Sequence, residues 1–203
     1  DGNAYDYSLN DNHGNINGAT ATTDRFNNNN GALSFDGSSY VDVGTISETN
    51  TDFITVIFWV KANENSWRGS LLGFGTNSSN TQDIYYVGNV AGDPFGYNTW
   101  NGDIWGIDNG DSIVMDGNWH YIAAIFNRND IKQSSIYIDG NLYQLSQFWM
   151  NSTLDRSIST DFGIGYNSWT TSNQMAEGSI DEVRIYNRAL SEAEIQQLYN
   201  ISK

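Results

Sequence analysis

The chain has 203 residues, 24 of them acidic against 9 basic, a formal net charge of −15 and no cysteine. That balance excludes a nucleic-acid binder, whose phosphate contacts need clustered Lys and Arg, and it disfavours an anionic membrane surface. The missing cysteines exclude disulfides, and no run of about 18 apolar residues marks a membrane-crossing helix.

At this length one all-β domain, residues 1–203, buries enough surface to fold without covalent staples. The chain begins at Asp1 rather than methionine, which reads as a mature product or a module excised from a larger protein. Acidic residues among abundant Asn and Gly suit hydrated, oxygen-rich loops that bind hard cations and sugars. They equally keep a protein dispersed.

In chain order, residues 1–31 are rich in Asn, Asp, Gly and Thr and read either as a disordered tail or as turn-rich structure. From residue 32 short apolar runs alternate with turn signals such as Asp36-Gly37, Asn109-Gly110 and Asp116-Gly117. Residues 53–60, FITVIFWV, are apolar on both faces and predict a strand between two packed layers. Residues 119–126, WHYIAAIF, predict the same. Residues 136–142 contain Asp139-Gly140, a hairpin signal, and residues 162–166, FGIGY, predict a short strand. Near the end, Ser191 and Glu194 fit a capping box, with Ile195, Leu198 and Tyr199 on one helical face. Many short strands, a single proline and almost no helical periodicity predict an all-β, antiparallel two-sheet β-sandwich with a short C-terminal helix.

Six stretches, in order, resemble the laminin-G-like domains of the concanavalin A-like jelly-roll superfamily. They are ALSFDGSSYVDV (32–43), FITVIFWVKA (53–62), DGNWHYIAAIFNR (116–128), SIYIDGNLY (135–143), DFGIGYNS (161–168) and the closing GSIDEVRIYNRAL (178–190). The resemblance implies a jelly roll whose end pairs near its beginning. It makes residues 1–31 part of the domain and places Trp59 and Trp119 in the core. The fold hosts lectins, carbohydrate-binding modules, adhesion modules and enzymes, so it does not name a function.

Members of the family often hold a structural calcium where the two ends of the chain meet. Calcium takes six to eight oxygens. The resemblance therefore implies a Ca²⁺ held by Asn3 and Asp6 of the opening loop, the Asp36-Gly37 turn and Asp181 of the closing strand, clamping first strand to last. The alternative is a local role, Asp36 forming an Asx-type turn and Asp181 bonding nearby backbone. His13 and His120 lack the Cys or third His of a zinc site, and His120 reads as a core or boundary histidine.

Beyond Trp59 and Trp119, five tryptophans sit among or beside Asn, Ser, Gly, Thr and Gln: Trp67, Trp100, Trp105, Trp149 and Trp169. A pyranose stacks its apolar face on an aromatic ring and needs polar groups at the rim. These five, with Tyr97 and Arg68, are the candidate sugar-binding residues. Arg68 reads either as a partner for a sulfate or uronate or as a cover over Trp67. Trp100 and Trp105 also fit an inward, core-facing position.

No E-x-D-x-E strand of the superfamily's glycosidases is present. Asp181 and Glu182 are adjacent, which on a regular strand puts them on opposite faces. The sequence thus predicts a non-catalytic carbohydrate-binding module recognising a polysaccharide, calcium-stabilised, secreted or at the cell surface, and attached to a larger bacterial polysaccharide-degrading enzyme. The alternatives are a protein-binding or adhesion module and a polysaccharide-cleaving domain.

Overall fold

The computed structural model describes residues 2–63, 69–75, 85–89, 95–99, 104–149, 160–165 and 177–203. The candidate residues Trp67, Arg68, Trp100 and Trp169 lie outside these residues. The elements run β1 (Asn15–Asn17), β2 (Thr20–Thr22), β3 (Ala32–Asp36), β4 (Tyr40–Thr45), β5 (Phe53–Asn63), β6 (Gly69–Phe74), β7 (Tyr85–Asn89), β8 (Gly96–Thr99) and β9 (Ile104–Gly106). After a short helix α1 (Gly110–Val114) come β10 (Asp116–Asn127), β11 (Ser135–Ile138), β12 (Asn141–Tyr143), β13 (Ser146–Trp149), β14 (Asp161–Ile164), β15 (Glu177–Tyr186) and helix α2 (Glu192–Ser202).

The strands form two antiparallel sheets, β1-β4-β14-β6-β7-β8-β9-β13 and β12-β11-β10-β5-β15-β3-β2, and the architecture is a β-sandwich jelly roll. The Asn-rich opening is built into it. β1 edges the first sheet on β4 and β2 edges the second on β3, so residues 2–31 are not a tail. β15 closes the second sheet between β5 and β3, bringing the end of the chain against its beginning.

The apolar-on-both-faces pattern has a direct cause. In β5 the even residues Ile54, Val56, Phe58 and Val60 join the core between the sheets, with Leu72, Phe74, Ile122, Phe126 and Phe162. The odd residues Ile57 and Trp59 face the other way, into a second core with Tyr121, Ala123, Tyr137, Leu190 and Ile195. Ile195 lies on α2, so the helix covers that outer face and a strand that would otherwise be apolar towards water is buried on both sides. The capping box starts α2: the Ser191 N–H donates to Glu194 Oε2 at 2.8 Å, and the Glu194 N–H donates back to Ser191 Oγ at 3.4 Å.

The Asp139-Gly140 hairpin joins β11 to β12 with φ of 51° and 79°, as a turn needing two positive φ values requires. The strand predicted over 162–166 is shorter at its end. β14 stops at Ile164, and Gly165 takes φ of 71° where any side chain would run into the Phe35 ring.

Candidate functional site

The junction of the chain's ends is organised by a guanidinium. β15 shifts register against β5 between Asp181 and Arg184, and Glu182 takes φ of 49°. This is a β-bulge, and a bulge re-aims side chains. The expectation that Asp181 and Glu182 point to opposite faces is therefore corrected: both carboxylates meet Arg25. Arg25 Nη1 donates to Asp181 Oδ2 at 2.6 Å, and Nη2 lies 3.1 Å from Glu182 Oε1. Arg25 Nε donates to the Ser202 carbonyl at 2.7 Å. The guanidinium also lies 4.4 Å from the Phe26 ring centre and 4.8 Å from that of Trp59. Arg25 and Asp181 are 6% and 3% exposed in their side chains. Burial pushes the Asp181 carboxyl up from its ordinary value, and Arg25 pulls the other way.

The residues expected to share a calcium do not come together as one coordination sphere. Asp36 pairs in register with Glu177, and Leu33 with Ile180. Asp181 is therefore four residues along the closing strand from the one opposite Asp36, about 13 Å at the rise of a strand. Each member has local partners. Asp36 accepts from the Ser38 N–H at 3.0 Å, the Ser38 hydroxyl at 2.8 Å and the Ser39 N–H at 2.9 Å. Those donors pull its carboxyl down to about 2, and the Asx-type turn is what forms. Gly37 sits at φ of 82° against the Glu177 carboxylate. Asp6 accepts from the Ser8 N–H, the Ser8 hydroxyl and the Asn12 N–H at 2.7–2.9 Å. Asn3 Oδ1 accepts from the Tyr5 N–H at 3.0 Å. Among the described residues no group of three or more His, Cys, Asp or Glu is placed to hold a metal. The five do not fit a single Ca²⁺ between the ends, because the carboxylate at the junction already faces a buried cation.

His120 is a boundary residue, as read from the sequence. Its Nδ1 lies 2.8 Å from Asp139 Oδ2 and its Nε2 lies 3.1 Å from Asp116 Oδ1. The hydrogen bond to Asp139 first, and that to Asp116 behind it, raise the imidazole above its ordinary pKa against the opposing effect of burial. Asp116 is held down at about 2 by its hydrogen bonds from Asn118.

The aromatic candidates divide. Tyr97 is not a ligand residue. It is fully buried, its ring meets Phe126 edge-on at 5.0 Å, and its hydroxyl lies 2.9 Å from the Ile125 carbonyl and 2.7 Å from the Ser135 carbonyl. Inward alternation on β8 put it in the core. Trp105, opposite Tyr97 on β9, packs against the same core, the inward position the sequence also allows, and its indole N–H is buried with no acceptor among the described residues. Trp149 ends edge strand β13, opposite Ile104. Trp59 is buried, and Trp119 packs half-buried against the second core.

Another aromatic set was not picked out from the sequence. Tyr5, Tyr7 and Leu9 are 66%, 74% and 103% exposed on the opening loop. The loop is closed by the Gly14 N–H donating to the Ala4 carbonyl at 2.8 Å. The Asp6 N–H donates to His13 Nδ1 at 2.9 Å, and the Tyr5 ring stands edge-on to His13 at 5.5 Å. The alternation Tyr-Asp-Tyr-Ser-Leu in a polar stretch was the available signal.

Two antiparallel sheets closed by the chain's last strand define the domain as a jelly roll. Residues 35–196 match the family described as the concanavalin A-like lectin/glucanases superfamily, and the chain belongs to it. No curated protein is matched in sequence. Among solved structures, the fold is shared with domain 4 of AbnA, an extracellular arabinanase of Geobacillus stearothermophilus solved with arabinotriose. Identity is 19%, covering 97% of this chain and 93% of that one, with a TM-score of 0.63. It is shared with the binding domain of Paraclostridial Mosquitocidal Protein 1 at 17% identity, 98% and 49% coverage and a TM-score of 0.65, so this chain spans about half of that one. A Trypanosoma rangeli sialidase bound to the inhibitor DANA gives 15% identity, 89% and 29% coverage and a TM-score of 0.51. No helix among the described residues is long and apolar enough to cross a membrane.

Proposed function

We propose that the domain is a non-catalytic carbohydrate-binding module, carried by a larger secreted or cell-surface protein that processes polysaccharide. Membership of a lectin-like superfamily supports the sugar ligand. The presence of the same fold as one domain of an extracellular arabinanase supports the modular setting.

The observation that carries the non-catalytic reading is the employment of the described carboxylates. Asp181 and Glu182, the one adjacent acidic pair on the closing strand, are turned by the bulge onto Arg25 rather than into a cleft. Asp116 and Asp139 flank His120, Glu194 pairs with Arg188 at 2.7 Å, and Asp36 holds its own turn. Retaining glycoside hydrolysis needs two carboxylates about 5–5.5 Å apart with a sugar between them. A guanidinium bridging such a pair leaves no room for one.

Affinity gel electrophoresis of the full chain against neutral and anionic polysaccharides tests the reading, with reducing-end release followed in the same mixtures. Retardation by a glycan without release of reducing ends is the expected result. Folded protein that no glycan retards would overturn the module, and steady release of reducing ends would overturn its non-catalytic character.

A further inference from the structure

We propose that the opening loop, residues 3–13, is a sugar-binding platform for neutral polysaccharides, with the rings of Tyr5 and Tyr7 as its stacking surfaces. This rests on the reading of the domain as a carbohydrate binder and names the surface and ligand class that reading leaves open.

Three observations converge on the loop. First, Tyr5, Tyr7 and Leu9 present large apolar side chains to solvent within five consecutive residues. Single exposed apolar residues are ordinary, but several together on one protruding loop mark a contact surface. Second, the loop is held before any ligand arrives. Asp6 gathers the Ser8 N–H, the Ser8 hydroxyl and the Asn12 N–H, His13 takes the Asp6 N–H, and Gly14 ties the base to Ala4. Asn3 Nδ2 lies 3.4 Å from the Tyr7 hydroxyl and steadies that ring from its edge. A shallow sugar site has little area with which to offset ordering, so a preformed loop raises affinity. Third, the surrounding side chains carry sugar chemistry. Asn10, Asn12 and His13 add donors and acceptors to the same loop, as hydroxyls at a pyranose rim require.

Charge sets the class. The first basic residue of the chain is Arg25, and it is buried against Asp181. The loop itself carries Asp6 and Asp11. A sulfated or uronic-acid polymer would meet Asp6 and Asp11 with no Lys or Arg in the loop, whereas a neutral glycan meets hydrogen-bonding groups and two ring faces. The ring faces supply the apolar contact area of such a platform, so removing two rings reads as a large loss.

The test uses the full chain in affinity electrophoresis against linear arabinan, xylan, mixed-linkage β-glucan and galactomannan as neutral probes and polygalacturonate as the anionic one. Wild type, Tyr5→Ala/Tyr7→Ala and Tyr5→Phe/Tyr7→Phe are compared, with melting temperature and sedimentation measured on each. The expected result is retardation of wild type by at least one neutral glycan and not by polygalacturonate. The alanine pair then binds at least tenfold more weakly at an unchanged melting temperature, and the phenylalanine pair, which keeps the rings, binds closer to wild type than to the alanine pair. If the alanine pair melts lower, Tyr7→Ser alone carries the comparison. Wild type and alanine pair bound equally well overturns the platform and leaves the carbohydrate-binding module standing. Wild type bound by no glycan overturns both. Retardation by polygalacturonate alone overturns the neutral class. A dimer that the alanine pair dissolves assigns the rings to contact between copies of the chain and overturns the platform as well.

Discussion

Arg25 and Asp181 stand 156 residues apart in the chain and 2.6 Å apart in space. With the Ser202 carbonyl on the same guanidinium, one side chain ties the opening segment, the closing strand and the final helix together. Where the resemblance implied a calcium, the described residues place a buried ion pair.

That pair makes a stability prediction. Removing one partner of a buried ion pair leaves an uncompensated charge and costs about 3–5 kcal/mol, while replacing both with apolar groups is often near neutral. Arg25→Met is expected to lose that much in urea denaturation. Arg25→Met with Asp181→Leu recovers at least half of it, since the stranded carboxylate is then gone and Glu182, at the rim, is solvated. A double variant no better than the single one would place the stability in the Ser202 and ring contacts instead.

What the sequence revealed follows the period of the chain. Residues 53–60 and 119–126 displayed two apolar faces, and both faces are buried, one by the opposite sheet and one by α2. Ser191 and Glu194 announced the helix start because a capping box is a local, four-residue device. The junction was illegible for the opposite reason. A bulge at Asp181–Glu182 breaks the two-residue alternation on which facing arguments rest, and nothing near Arg25 in the chain announces a partner 156 residues on. Tyr97 misled because Asn and Gly surround it in sequence, while the strand faces its ring inward and two backbone carbonyls meet its hydroxyl. The opening loop sets its rings at alternate positions among acids and amides, where a polar composition hides them.

The calcium question has a direct measurement. Because Asp36 and Asp181 do not share a site and Asp181 faces Arg25, the melting temperature is expected to stay within about 1–2 °C between excess calcium and excess chelator, less than about 1 kcal/mol for a domain of this size. A ligand present at 100 times its dissociation constant would add about 2.7 kcal/mol. A rise of several degrees with calcium, reversed by chelator, would restore the metal clamp and require the junction to rearrange.

His120 gives a pH dependence of definite sign. Asp139 and Asp116, the two carboxylates on its ring nitrogens, favour the imidazolium in the folded state, so its folded pKa is raised above its unfolded value. The resulting stability is fully present below the unfolded pKa of about 6.5 and is lost as pH rises through the folded pKa. Unfolding free energy measured from pH 6 to pH 9 is expected to fall for wild type, and the fall should be absent from the His120→Gln variant. Stability rising across that window, or a fall identical in the variant, would show that the imidazole is neutral in the fold.

Tyr97 separates the core from the ligand surface. Its ring is fully buried against Phe126 and its hydroxyl serves the Ile125 and Ser135 carbonyls, joining β8 of one sheet to β10 and β11 of the other. Tyr97→Phe keeps the packing and removes the one proton the hydroxyl shares between these carbonyls, a change that costs about 1–3 kcal/mol. Tyr97→Ala adds a cavity and costs about 3–5 kcal/mol, by analogy with other large-to-small aromatic changes. Glycan affinity, measured by calorimetry below the melting transition, is expected to be unchanged in Tyr97→Phe. A phenylalanine variant that keeps its stability but loses affinity would mean that the hydroxyl reaches the ligand, and that the bonds across the sandwich are not its purpose.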